Sequence, residues 1–143
     1  MVDEPSAPSA TGSNAPAHVL EALGTTPYIS LATWRKNGKE VRTPVWVARS
    51  GERLYVFTER KSGKVKRIRN DGRAAVAPCD VRGGLKGDFT PAQARIVEDA
   101  ATIDRAYAAL KGKYGWQMWI TDTMSKLAGR YDKRAMLEIV LTG

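Results

Sequence analysis

Asn37-Gly38, Ser50-Gly51-Glu52 and Asp71-Gly72 cut residues 27–80 into short runs in which apolar and polar side chains alternate. Alternation with a period of two is the mark of a strand buried on one face. Residues 27–36 carry Tyr28, Ile29, Leu31, Ala32 and Trp34, and Asn37-Gly38 then reads as a two-residue hairpin turn. Residues 39–49 place Val41, Thr43, Val45 and Val47 on one face and Arg42, Pro44, Trp46 and Ala48 on the other. Residues 53–58, 73–80, 91–98 and 135–142 complete six expected strands. Helical spacing is expected over 15–23, with Asn14 as cap and Gly24 as stop, over a short basic segment after Ser62, and over 99–113 and 116–131. Short strands in consecutive order predict a mainly β protein with helices (α+β), its sheet curled into a closed or partly closed barrel.

A chain of 143 residues suits one core. Residues 1–14 are rich in Ser, Pro, Ala and Gly, too poor in apolar groups to offset ordering entropy, so they read as a disordered tail before a single domain over 15–143. No run approaches the roughly 18 apolar residues of a membrane span, and no signal peptide is visible. A cytoplasmic protein with no membrane partner is expected. Cys79 and His18 are each the only residue of their kind, which excludes an intrachain disulfide and a Cys/His zinc cluster. The formal net charge of +8 points to an anionic partner: nucleic acid, a membrane surface or a multiply charged small molecule. No RNP, KH or zinc-finger signature supports nucleic acid, and only Tyr28, Trp34 and Trp46 could stack bases on the expected strands.

The densest cationic stretch begins at Arg60 and ends at Arg69. Ser62 and Gly63 stand where a helix would start, and a helix start offers unpaired N–H groups and the positive end of a dipole to an anion. At about 100° per residue, Lys64 and Arg67 fall about 60° apart on one side, while Lys66 and Arg69 point elsewhere, into solvent or toward a distal part of a ligand. Val65 and Ile68 would pin the helix to the barrel.

Thr43-Pro44-Val45-Trp46, then Val56-Phe57-Thr58 with Ser62-Gly63-Lys64, then Ala77-Pro78-Cys79-Asp80 and Arg82-Gly83, together resemble the split β-barrel, FMN-binding proteins related to pyridoxamine 5'-phosphate oxidase. Within that group the wording is most similar to the deazaflavin-dependent branch, which uses coenzyme F-420. The resemblance runs from about Pro27 to Val97. It implies a six-stranded split barrel and a homodimer with a cofactor in the groove between subunits. It implies that Thr58, Ser62, Gly63, Lys64 and Arg67 hold the cofactor phosphate, that Thr43, Pro44, Val45 and Trp46 lie along its ring, and that Pro78 and Cys79 belong to the same site. Trp34, Trp46 and one of Trp116 or Trp119 are expected to pack across subunits. The implied activity is hydride transfer from reduced deazaflavin to an electron-poor small-molecule acceptor. With no histidine near these motifs, Asp80 and Tyr131 are candidates for the accompanying proton. Coenzyme F-420 carries an oligoglutamate tail besides its phosphate, which suits the surplus cations; FMN, the alternative, needs the phosphate site alone. A non-catalytic binder of flavin or haem is the other reading, and a nucleic-acid-binding barrel a more remote one.

Overall fold

A computed structural model describes residues 15–115 and 134–143. The expectations for residues 1–14, for the helix over 116–131, and for Trp116, Trp119 and Tyr131 lie outside the described residues. The described elements run α1 (Ala17–Thr25), β1 (Tyr28–Trp34), β2 (Glu40–Val45), β3 (Ala48–Ser50), β4 (Arg53–Glu59), α2 (Gly63–Asn70), β5 (Arg73–Cys79), β6 (Thr90–Val97), α3 (Ala100–Tyr114) and β7 (Arg134–Leu141). The strands form one antiparallel sheet in the order β2-β1-β5-β6-β7-β4-β3. Its two edge strands are consecutive in the chain, separated only by Trp46-Val47. The sheet therefore curls into a half-barrel, and the fold is α+β, as the strand pattern implies.

Three local differences from the sequence reading have physical causes. The expected strand over 39–49 is two strands, because its first half pairs with β1 and its second half with β4. One segment cannot follow both neighbours without bending, and it bends at Trp46-Val47. The hairpin loop is Lys36-Asn37-Gly38: Gly38 N–H donates to Arg35 O at 2.8 Å, Arg35 N–H donates to Lys39 O at 2.9 Å, and Gly38 has φ +87°. That is the longer turn closed by a left-handed glycine, not a two-residue turn. Helix α1 starts after Pro16 and not at Asn14, and it runs through Gly24 to Thr25. Gly24 serves close packing there, since a Cβ on it would lie 2.8 Å from Arg49 Cβ. Gly24→Ala is expected to cost about 1–3 kcal/mol by overpacking, read as a lower midpoint of denaturant unfolding.

Alternation along the strands sorts two cores. Leu31, Leu54, Val56, Val76, Leu137 and Ile139 face the inside of the curl with none of their surface exposed, and Leu20 and Leu23 of α1 and Val65 and Ile68 of α2 join them. Tyr55 and Met136 face the other way and pack with Ala106, Leu110 and Tyr114 of α3. On that outer face Tyr55, Glu138 and Arg95 form one row across β4, β7 and β6. Glu138, 2% exposed, accepts from Tyr55 Oη at 2.8 Å, Arg53 Nη1 at 3.0 Å and Arg95 Nε at 2.8 Å.

Candidate cofactor site

The chain leaves β4 at Glu59, turns with Ser62 N–H donating to Glu59 O at 3.1 Å, and enters α2. Ser62 is the N-cap, its Oγ accepting from Val65 N–H at 3.4 Å, a long capping bond. Val65 and Ile68 are buried in the inner core, as their spacing requires, which turns Lys64, Lys66, Arg67 and Arg69 away from it. Lys64 is half-buried; burial lowers its pKa, and the nearby Arg67 pushes the same way. Arg67 Nε donates to the fully buried Thr33 Oγ1 at 2.6 Å, while its guanidinium lies over the helix start, where a Cβ on Gly63 would meet Nη1 at 2.7 Å. Burial and the charge of Arg35 both lower the Arg67 pKa. Thr58 is buried near the end of β4 opposite Ala135 of β7.

Beside this helix start is a groove of about 240 Å³ lined by Trp34, Arg35, Lys36, Gly63, Lys66, Arg67 and Asn70. Four of those residues are cationic and none is acidic. Trp34 forms an aromatic wall, with the Arg73 guanidinium 4.1 Å from its ring centre. Arg35 and Lys36 come from the hairpin tip, so this part of the site depends on β1 pairing that brings a turn next to α2. Lys66 lines the groove with Arg67, although helix phase alone sets it apart from Lys64.

The other expected residues gather at the opposite end of β1. Thr43, Pro44 and Val45 stand opposite Leu31, Ser30 and Ile29, and on β1's other side Pro78 and Cys79 stand opposite Ile29 and Tyr28. At about 3.3 Å per residue, Ile29 and Thr33 are about 13 Å apart along the strand. The expected site is thus two groups on one sheet: Ser62, Gly63, Lys64 and Arg67 at one end, with Thr58 close to them in the chain, and Thr43–Trp46 with Pro78 and Cys79 at the other. The Cys79 side chain is fully buried, its thiol pushed up by burial, so only its backbone could face a ligand. Trp46 is partly exposed and stacks on Tyr114, ring centres 4.3 Å apart and planes 8° from parallel. Tyr114 and Lys113 were not among the residues singled out from the sequence. Nothing in the local pattern of α3 marks them, since their partners lie more than 60 residues away.

Asp80 is a poor proton donor. Its Oδ1 accepts from Gly84 N–H at 2.8 Å and Arg82 N–H at 2.9 Å, and these bonds hold its carboxyl below the usual range. Its role is to shape the loop after β5. A larger cavity, about 370 Å³, shares no lining residue with α2's groove and lies between α3 and the outer sheet face, lined by Phe57, Ile103, Tyr107 and Met136 with Arg60, Glu98 and Asp104. Its polar lining carries both signs of charge, so it does not select an anion.

A curled antiparallel sheet with a capped basic helix between its fourth and fifth strands is a split-barrel fold. The chain belongs to the pyridoxamine 5'-phosphate oxidase family, whose pattern it matches over residues 15–141. No curated protein matches it by sequence. Solved structures share the fold at low identity. A conserved hypothetical protein of Mycobacterium tuberculosis is 20% identical, with TM-score 0.65 over 89% of this chain and 80% of the other. The heme storage protein of Vibrio cholerae is 12% identical, with TM-score 0.67 over 88% and 89%. An FAD-binding protein of Mesorhizobium loti is 17% identical, with TM-score 0.57 over 86% and 84%. No helix among the described residues is long and apolar enough to cross a membrane.

Proposed function

We propose that this chain is an oxidoreductase that binds coenzyme F-420 in preference to FMN. The groove of Arg35, Lys36, Lys66 and Arg67 beside the α2 start carries this reading. A single phosphate would be served by Ser62, Gly63 N–H, Lys64 and Arg67. Two further cations on the hairpin and one on α2, with no carboxylate among the lining residues, exceed that need and fit a ligand with additional carboxylates. The missing side chain of Gly63 fits too, because it leaves room for the Arg67 guanidinium over the helix start. When bound there, a reduced deazaflavin would supply hydride chemistry toward an electron-poor organic acceptor. The protein's own part is to hold the anionic end with Lys64 and Arg67 and to present Thr43–Trp46 to the planar end. Asp80, committed to its loop, is a poor source for the accompanying proton, which water or Tyr131 would supply.

Gly63→Ala tests the phosphate end. The clash is with the far end of a flexible side chain, so folding stability should stay within about 0.5 kcal/mol. The displaced guanidinium should weaken binding of both F-420 and FMN. Unchanged affinity would remove Arg67 from the site. For activity, the protein loaded with reduced F-420 is mixed with quinone or activated-alkene acceptors; reoxidation faster than in buffer supports an oxidoreductase, and none across the panel leaves a binder. We further propose a homodimer with its sites at the interface. Sedimentation equilibrium at micromolar concentration should give twice the chain mass of 15.7 kDa; a monomer that binds cofactor at full affinity would refute it.

A further inference from the structure

The break between β2 and β3 leaves a backbone unit outside the sheet ladder. Buried N–H and C=O groups need partners, and Val47 is fully buried. Both of its groups are served from the last turn of α3. Tyr114 Oη accepts from Val47 N–H at 2.8 Å, and Lys113 Nζ donates to Val47 O at 2.6 Å. The same two side chains hold the entry to β1: Lys113 Nζ donates to Thr26 O at 2.6 Å and Tyr114 Oη donates to Pro27 O at 2.7 Å. The one hydroxyl proton goes to Pro27 O, because Val47 O is farther, at 3.0 Å, and already has the ammonium. The residue before Val47 is Trp46, and its indole lies flat on the Tyr114 ring.

These contacts fix Trp46 at both ends, backbone through Val47 and ring plane through Tyr114, while part of its surface stays open to solvent. A core tryptophan would need burial and a partner for its N–H; a surface one would be free to rotate. A held, partly exposed indole at the end of the Thr43–Val45 row is a preorganised face for a planar ring. We infer that Tyr114 and Lys113 are positioning residues for Trp46, holding its indole as a shelf on which the planar ring of the ligand stacks. This rests on the proposed cofactor reading, and it adds a device at the ring end that does not involve the cationic groove.

The test is a double-mutant cycle read by titration with F-420 and with FMN. Trp46→Leu should weaken both ligands roughly tenfold, the size of one lost aromatic stack. Tyr114→Leu should weaken them by a similar factor, and the double variant should be no weaker than the worse single one. Lys64→Ala should add its own loss to each of these, since it acts at the other end. Tyr114→Phe keeps the stack and loses the hydroxyl; with Lys113→Met it isolates the backbone hold, and each should cost roughly threefold in affinity. Near-ultraviolet circular dichroism gives a readout without ligand: the tryptophan band of the held Trp46 indole should persist in Tyr114→Phe and in Tyr114→Leu should fall as far as it does in Trp46→Leu. Wild-type affinity in a folded Tyr114→Leu, or additive losses in the cycle, would overturn the inference. If Tyr114→Leu does not fold, unchanged affinity in both Tyr114→Phe and Lys113→Met would overturn it. Loss on Lys64→Ala but none on Trp46→Leu would overturn the shelf and leave the cofactor reading standing. No binding of either ligand by the wild-type chain would overturn both.

Discussion

Glu138→Ala is expected to lower folding stability by about 2–4 kcal/mol, the cost of stranding a buried hydroxyl and leaving a cavity. The side chain is 2% exposed and gathers Tyr55, Arg53 and Arg95 from two neighbouring strands. Arg95 is 59% exposed and can return to water when the carboxylate is gone. Arg53 is 27% exposed and can do so in part. The Tyr55 hydroxyl cannot, so most of the loss comes from it and from the space left behind. Tyr55→Phe in the Glu138→Leu background should therefore recover part of the loss, because no buried polar group is then stranded. Burial alone would push Glu138 up, but the bonds from Tyr55, Arg95 and Arg53 outweigh it and hold the carboxyl below its ordinary value. The stabilisation is complete above the unfolded value of about 4.3 and fades as pH falls through the lower folded value. Wild-type stability should thus drop more steeply than that of Glu138→Gln between about pH 6 and about pH 3. Denaturant titrations at several pH values measure both effects. A loss under about 1 kcal/mol for Glu138→Ala would mean that the carboxylate is hydrated and the cluster is not buried as described.

Lys64→Ala is expected to weaken cofactor binding by about 1.5–3 kcal/mol, the range for a hydrogen bond to a charged group, or roughly 10- to 150-fold. Arg67→Ala should lose at least as much affinity and should also lower stability, since the buried Thr33 hydroxyl loses the guanidinium it accepts from at 2.6 Å. Lys66→Ala separates the two candidate ligands. It lines the groove and not the helix start, so it should weaken F-420 and leave FMN nearly unchanged. Equal losses for FMN from Lys66→Ala and Lys64→Ala would place the phosphate in the groove and not at the N-terminus of α2.

Much of this architecture can be read in the sequence because strand alternation, turn residues and helix capping are local. Ser62-Gly63 as a helix start and Val65 with Ile68 as its buried face follow from that alone, and the structure has both. What failed to show was set by pairing between distant segments. The run over 39–49 alternates without interruption, yet it changes partner at Trp46-Val47 because β1 and β4 lie next to opposite edges of the sheet. Gly24 looks like a helix stop until Arg49 is placed against it. Of the site, the helix-start residues were legible as a cluster; the groove was not, because Trp34, Arg35 and Lys36 reach α2 only through the hairpin. Lys113 and Tyr114 gave no signal, since a lysine and a tyrosine near a helix end are ordinary until Val47 lies beneath them.

The proposed role of the groove beside α2 is to take the additional negative charge of F-420. Parallel fluorescence-quenching titrations of the wild-type protein with F-420 and FMN, repeated from low to high salt, decide it. F-420 should bind more tightly at low salt and lose affinity more steeply as salt rises, because its extra contacts would be exposed and screened while the phosphate contacts would be shared. Equal affinities with equal salt slopes would contradict it.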